Sequence, residues 1–196
     1  MTKRSAVKRK TSETDVHVSL NIYGKGRFDI KTGISFLDHM LSLFAKHGLF
    51  DLKVSASGDL DVDIHHTNED VAIVLGQAFS HALQNRAGIK RFGEATIPMD
   101  EALVRVVIDI SGRPFLKFSA EKAKTKDIKD YSLNYAEQFL RTFSIAAGAS
   151  IHVDVIEGKD QHHIIEGIFK AFAKALSKAT ELEPRSKSIP STKGRI

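Results

Sequence analysis

The residues in this 196-residue chain best equipped for chemistry come in two matched groups. His65-His66-Thr67-Asn68-Glu69 is followed 97 residues later by His162-His163-Ile164-Ile165-Glu166. Where such a group opens a helix, residues i and i+4 share a face, so His65 pairs with Glu69 and His162 with Glu166. The adjacent His66 and His163 project about 100° away and cannot easily join the same ion. Each group therefore offers a pair of ligands to one metal and a single ligand to a neighbouring one. Two groups related by a pseudo-two-fold complete a dinuclear site, with His39 and its repeat counterpart filling a remaining position. Imidazole and carboxylate without sulfur suit manganese, iron, cobalt, nickel or zinc, and the residues do not choose among them.

Positioning these groups takes a duplicated unit. In the first half, Val16, Val18, Leu20 and Ile22 alternate as a half-buried strand, and Gly24-Lys25-Gly26 reads as the turn into a second strand through Phe28 and Ile30. Phe36, Leu37, Met40, Leu41, Leu43 and Phe44 follow helical spacing up to Gly48. Two short strands, Leu49–Ser55 and Leu60–Ile64, are expected around Ser57-Gly58-Asp59, and then a helix from about Asn68 to Asn85. The order returns with strands Leu103–Ile110 and Phe115–Ser119, a helix Tyr135–Ala147, a strand Ile151–Ile156 and a helix from Gln161 to about Thr180. Apolar positions repeat as well: Leu75, Ala78, Phe79, Ala82 and Leu83 match Phe169, Phe172, Ala173 and Leu176. Phe36-Leu37-Asp38-His39-Met40-Leu41 aligns with the helix around Gln138, which places Gln138 opposite His39. The expected class is α+β with mixed sheets, a duplicated β/α half-unit with halves at 1–92 and 93–196 forming one compact domain.

Composition narrows the function. With 42% hydrophobic and 27% charged residues, the chain has an ordinary globular profile, long enough to bury roughly 70% of its unfolded surface. The absence of cysteine excludes disulfides, thiolate metal sites and cysteine nucleophiles. No apolar run approaches the ~20 residues of a membrane span and no signal segment follows the basic start, so the expected compartment is the cytoplasm. The formal charge of +5 sits on Lys3, Arg4, Lys8, Arg9 and Lys10, leaving 24 basic against 24 acidic residues in the rest. Residues 1–10 therefore read as a solvated basic arm on a neutral body, which argues against nucleic-acid binding. His17, His81 and His152 sit inside strand or helix patterns and read as structural; spacing alone leaves His47 open.

Several segments resemble one family: Phe36-Leu37-Asp38-His39-Met40-Leu41, His65-His66-Thr67-Asn68-Glu69-Asp70 with Leu75-Gly76-Gln77-Ala78, Met99-Asp100-Glu101-Ala102-Leu103, His162 to Glu166 with Phe169-Lys170-Ala171, and Ile189-Pro190-Ser191-Thr192-Lys193-Gly194. In order and spacing, from about Arg9 to the C-terminus, they resemble the imidazoleglycerol-phosphate dehydratases. The resemblance implies a dimanganese lyase of histidine biosynthesis, folded as two mixed sheets sandwiching a layer of helices. It implies trimers assembling into a homo-oligomer of 24 subunits, with active sites between subunits. One metal would be held by His39, His66, His162 and Glu166, the other by His65, Glu69, His163 and the residue at 138. The family pattern has histidine where this chain has Gln138, a neutral and weaker donor. Glu13 would be the proton shuttle. Arg91, Arg113, Ser191 and Lys193 would bind phosphate, the arginines bidentately, and the tail 184–196 would close over it. His47, Thr67, Asn68, Lys170 and Thr192 complete the implied substrate contacts, beside His39, His65, His66, Glu69 and His162.

On imidazole glycerol phosphate the implied reaction is demanding, because the proton removed is not next to a carbonyl. The imidazole ring is the only electron reservoir; two divalent ions on its nitrogens would favour imidazolate, which expels the adjacent hydroxyl. Loss of the next carbon's proton gives an enol that tautomerises to the ketone, with a carboxylate carrying protons. Two rivals use similar residues. A two-metal phosphoesterase would want more carboxylate and a bridging Asp, and a metal-clamped structural assembly would need no turnover.

Overall fold

A computed structural model describes residues 3–121, 123 and 131–196. Strands β1 (Arg4–Lys10), β2 (Thr14–Asn21), β3 (Phe28–Lys31) and β4 (Asp51–Gly58) form one sheet in the order β1-β2-β4-β3. Strands β5 (Phe92–Met99), β6 (Ala102–Asp109), β7 (Phe115–Ser119) and β8 (Ser150–Glu157) repeat that order as β5-β6-β8-β7. In each sheet the third strand pairs parallel and the others antiparallel, so both sheets are mixed. Helices α1 (Ser35–Gly48), α2 (His65–Leu83), α3 (Leu133–Ala147) and α4 (Gln161–Thr180) lie between them. Helix α2 packs on β1 and β2, and α4 on β5 and β6; across the pseudo-two-fold α1 packs on α4 and α2 on α3.

The alternating strands supply the core: Val16, Val18 and Leu20 of one sheet and Val104, Val106 and Ile108 of the other point inward and are buried. Between the sheets, one phenylalanine from each helix closes a ring. Phe44 meets Phe79 at 6.0 Å, Phe79 meets Phe143 at 5.6 Å, Phe143 meets Phe172 at 5.0 Å and Phe172 returns to Phe44 at 5.2 Å. Each such buried ring contributes about 1.5–3 kcal/mol of apolar burial, and the edge-to-face pairs add to it.

Three expectations are corrected. Residues 4–10 are not a solvated arm: they form β1, paired with β2 along its length, while residues 1 and 2 lie outside the described residues. The cations hid the strand but suit its edge position, where outward Lys8 and Lys10 face Asp15 and discourage further pairing. Gly24-Lys25-Gly26 leads into β3 as expected, and β4 lies between β2 and β3 in the sheet. Asp51 at the start of β4 accepts from the Lys25 and Arg27 N–H groups, and a Cβ at Gly24 would sit 2.2 Å from its backbone nitrogen. Leu60–Ile64 is turn rather than strand, since Asp59 closes a turn with Val62 N–H and Asp63 accepts from His65 N–H ahead of α2. Finally, β5 forms where no strand was expected. No helix among the described residues is long and apolar enough to cross a membrane.

Candidate active site

The second His-His-x-x-Glu group opens α4, where Asp160 caps the helix by accepting from His162 and His163 N–H. One turn in, Glu166 is buried and becomes a hub. Its Oε2 lies 3.4 Å from His162 Nε2 and 3.3 Å from His39 Nε2, delivered by α1, and its Oε1 is 2.5 Å from Lys170 Nζ. Burial alone would raise the Glu166 carboxyl; Lys170 and then His39 outweigh it and hold it below the ordinary carboxylate range. The ligand atoms of His39, His162 and Glu166 lie within 4.8 Å of one another, the one such three-residue group among the described residues. Two imidazoles and an anionic carboxylate suit a divalent transition metal. Further along α1, His47 is held below its usual range by burial and then by Lys170 and Lys174.

The first group opens α2. His65 and Glu69 share a face at 3.6 Å, as their spacing requires. Against this turn packs α3, where Asn68 donates to the Tyr135 carbonyl at 3.1 Å, one turn before Gln138. Gln138 Oε1 is buried and accepts no hydrogen bond among the described residues, so an acceptor atom on the helix facing α2 is left unused. The second histidine of each group is oriented by a carboxylate. His66 Nδ1 is 2.9 Å from Asp59, with Glu13 at 3.8 Å, and His163 Nδ1 is 2.8 Å from Glu101. Those hydrogen bonds raise both histidines, and Glu101, also accepting from Asp160 and Lys159 N–H, falls to about 2. Engaging Nδ1 in this way leaves Nε2 as the nitrogen available to a metal ion.

A separate open cavity of about 680 Å³ gathers Arg91, Arg113, Ser191, Thr192 and Lys193. Arg113 and Lys193 form no ion pair among the described residues, leaving their charges available to an anion. Arg91 is already occupied: its guanidinium pairs with Asp109 and donates to the Pro190 carbonyl at 2.9 Å, tying the tail down. Thr67 and Asn68 are fully buried, and Asn68 spends both ends of its amide on Tyr131 and Tyr135.

A family model described as imidazoleglycerol-phosphate dehydratase matches residues 32–176. The imidazoleglycerol-phosphate dehydratase of Thermoanaerobacter pseudethanolicus is 55% identical over 192 residues, covering 98% of each chain. The chain belongs to this family. Solved dehydratase structures agree: that from Pyrococcus furiosus superposes with a TM-score of 0.84 at 34% identity, over 97% of this chain and 100% of its own. That from Staphylococcus aureus gives 0.79 at 37% identity, over 91% and 99%. Imidazoleglycerol-phosphate dehydratases are hydro-lyases, and the chain is an enzyme of that class.

Two carboxylates that the dehydratase fold aims at histidines, Asp59 and Glu101, had no role in the sequence reading. Glu101 lies 88 residues after Glu13, as Val104 lies 88 after Val16, so carrying the repeat into the turns would have found it. Nothing in the sequence marked Asp59 apart from Asp61 and Asp63.

Proposed function

We propose that the chain removes water from imidazole glycerol phosphate to give imidazole acetol phosphate, at sites that bind two manganese ions. The observation that carries this reading is the convergence of His39, His162 and Glu166, matched across the pseudo-two-fold by Gln138, His65 and Glu69. The ligand sets are His39, His66, His162 and Glu166 for one ion, and His65, Glu69, His163 and Gln138 for the other. The chemistry that such ions supply is charge neutralisation of a deprotonated imidazole ring, the electron reservoir the elimination needs. The hydroxyl beside the ring leaves as water and the hydrogen on the next carbon leaves as a proton. Glu13, half-exposed beside His66 and, among the described residues, not pinned by hydrogen bonds to its carboxylate, accepts that proton and returns it beside the ring as the enol becomes a ketone, and the enol O–H proton released then replaces the one taken by the departing hydroxyl. Arg113 and Lys193 orient the phosphate, and Lys170 holds the charge of Glu166.

The reading includes assembly of copies, by trimers to 24 subunits, and a cytoplasmic enzyme. The length of α4 supports assembly. Arg91 N–H donates to Ala179 O, 13 residues past Glu166, so phosphate cavity and metal ligands of one chain are ~20 Å apart at about 1.5 Å per residue. Ring and phosphate of the substrate are on the order of 8 Å apart by bond lengths. One copy's cavity therefore serves another copy's histidines. Incubating manganese-loaded protein with imidazole glycerol phosphate should yield the ketone; metal-dependent assembly with no ketone would favour a structural role instead.

Gln138 makes the two ions unequal. An amide carbonyl replaces imidazole at one position only, so the His65–Glu69 ion should bind more weakly than the His39–Glu166 ion. Gln138→His should tighten the weaker of two manganese-binding events by about tenfold, the scale on which ligand-shell changes act. Manganese titration of both proteins in one buffer decides it: indistinguishable sites in the parent, or no shift in the variant, would sink the idea.

A further inference from the structure

The two halves treat their matching glutamates differently. In the second half, Glu101 is pinned through its own carboxylate, which accepts from Asp160 N–H at 2.8 Å, Lys159 N–H at 3.1 Å and His163 at 2.8 Å. In the first half, Glu13 lies 3.8 Å from His66 and, among the described residues, spends its carboxylate on no close hydrogen bond. What is fixed there is the turn beneath it. Thr11 Oγ1 accepts from Glu13 N–H at 3.1 Å and Thr14 N–H at 3.0 Å. Asp70, buried in the first turns of α2 directly after Glu69, then takes hold of both flanking strands. Its Oδ2 accepts from Arg9 Nη1 of β1 at 2.5 Å and from Thr14 Oγ1 of β2.

The repeat supplies its own control. Arg9 pairs with Val16 and Ile97 with Val104, so Arg9 and Ile97 are equivalent, as are Thr14 and Ala102. Asp70 corresponds to Gly167, 97 residues on, where a Cβ would meet Val104 at 3.1 Å. All three partners are apolar or lack a side chain in the half whose glutamate is pinned directly. They are polar in the half whose glutamate is free.

We infer that Arg9, Asp70 and Thr14 form a positioning clamp, which fixes the Glu13 turn on the helix carrying His65, His66 and Glu69 while leaving the Glu13 carboxylate free to exchange a proton. The inference rests on the reading of Glu13 as the proton carrier. It also accounts for a cation on the inner side of the basic first strand, where Arg9 faces Asp70 between outward Lys8 and Lys10.

The test is a double-mutant cycle in the full-length, manganese-loaded protein. Arg9→Gln, Asp70→Asn and Thr14→Val should each lower kcat about tenfold to a hundredfold, the effect of displacing a catalytic group by about an ångström. KM and manganese content should stay near the parental values, and Arg9→Lys should recover much of the loss. Amide hydrogen exchange at residues 11–14 should accelerate while the α4 amides keep their protection. In a Glu13→Gln background the same substitutions should change kcat by less than about twofold, because the clamp acts through Glu13. If Asp70→Asn loses metal or fails to fold, Arg9→Gln and Thr14→Val on the hairpin itself carry the cycle. Parental kcat in those two variants, or losses that add to that of Glu13→Gln, would overturn the clamp alone. Parental kcat in Glu13→Gln itself would overturn the proton-carrier reading, and the clamp's catalytic role with it.

Discussion

Glu166→Gln is expected to cut turnover at least about a hundredfold and to lower manganese content in the same preparation. The side chain is buried and shared by His39, His162 and Lys170, so the change acts in two ways. It removes the carboxylate proposed as the anionic ligand of the three-residue group, and an ion that polarises substrate accounts for several kcal/mol of transition-state stabilisation. It also leaves the Lys170 ammonium, mostly buried, without its counter-charge, so electrostatic repulsion now opposes a divalent ion. Glu69→Gln should act in the same direction on the other ion, with less damage to packing because Glu69 is half-exposed. Steady-state rates measured beside elemental analysis decide the matter. Near-parental turnover with full metal in either variant would remove the dinuclear reading.

Glu13→Gln should behave differently. A positioned proton carrier contributes on the order of 10²–10⁴ in rate, so kcat should fall in that range while manganese content and substrate affinity stay close to parental. The amide keeps the shape and loses the proton-accepting oxygen, and no hydrogen bond to the carboxylate from the described residues is broken. Arg113→Ala and Lys193→Ala provide the contrast. Each removes a charge facing the cavity, and each should weaken binding by about 1.5–3 kcal/mol, read as a raised KM with kcat largely kept. A Glu13→Gln enzyme altered only in KM would reassign Glu13 to binding.

These predictions rest on features of unequal visibility. The i, i+4 spacing of the histidine–glutamate groups was legible because it is local: a helix brings His65 to Glu69 and His162 to Glu166 whatever the rest of the chain does. The duplication was legible because apolar spacing survives in both halves, and it led to two sheets of identical strand order. Strand β1 was hidden because its cations break the apolar alternation, and the inward one, Arg9, is spent on Asp70, 61 residues along the chain. The turn at Leu60–Ile64 was misread because alternating aspartates mimic strand periodicity while closing a turn and a helix start. The contacts of Arg91 with Asp109 and the Pro190 carbonyl were not legible, since the second spans 99 residues and no local pattern encodes it.

The ring of Phe44, Phe79, Phe143 and Phe172 bears on how such a chain could have arisen. A single half would present two of those rings to water and would find its natural cover in another copy of itself, as a two-fold dimer. In that dimer every side chain occurs twice in the same setting, so no residue can be improved for one role without changing its twin. Joining the copies end to end removes that restriction, and it keeps the halves together at high effective concentration while they diverge. Glu13 and Glu101, Asp70 and Gly167, and His39 and Gln138 are then former twins released to separate uses. A reaction that moves a proton from one carbon to its neighbour has no two-fold symmetry of its own, and gene fusion is a route by which a symmetric scaffold acquires the one-sidedness such a reaction requires.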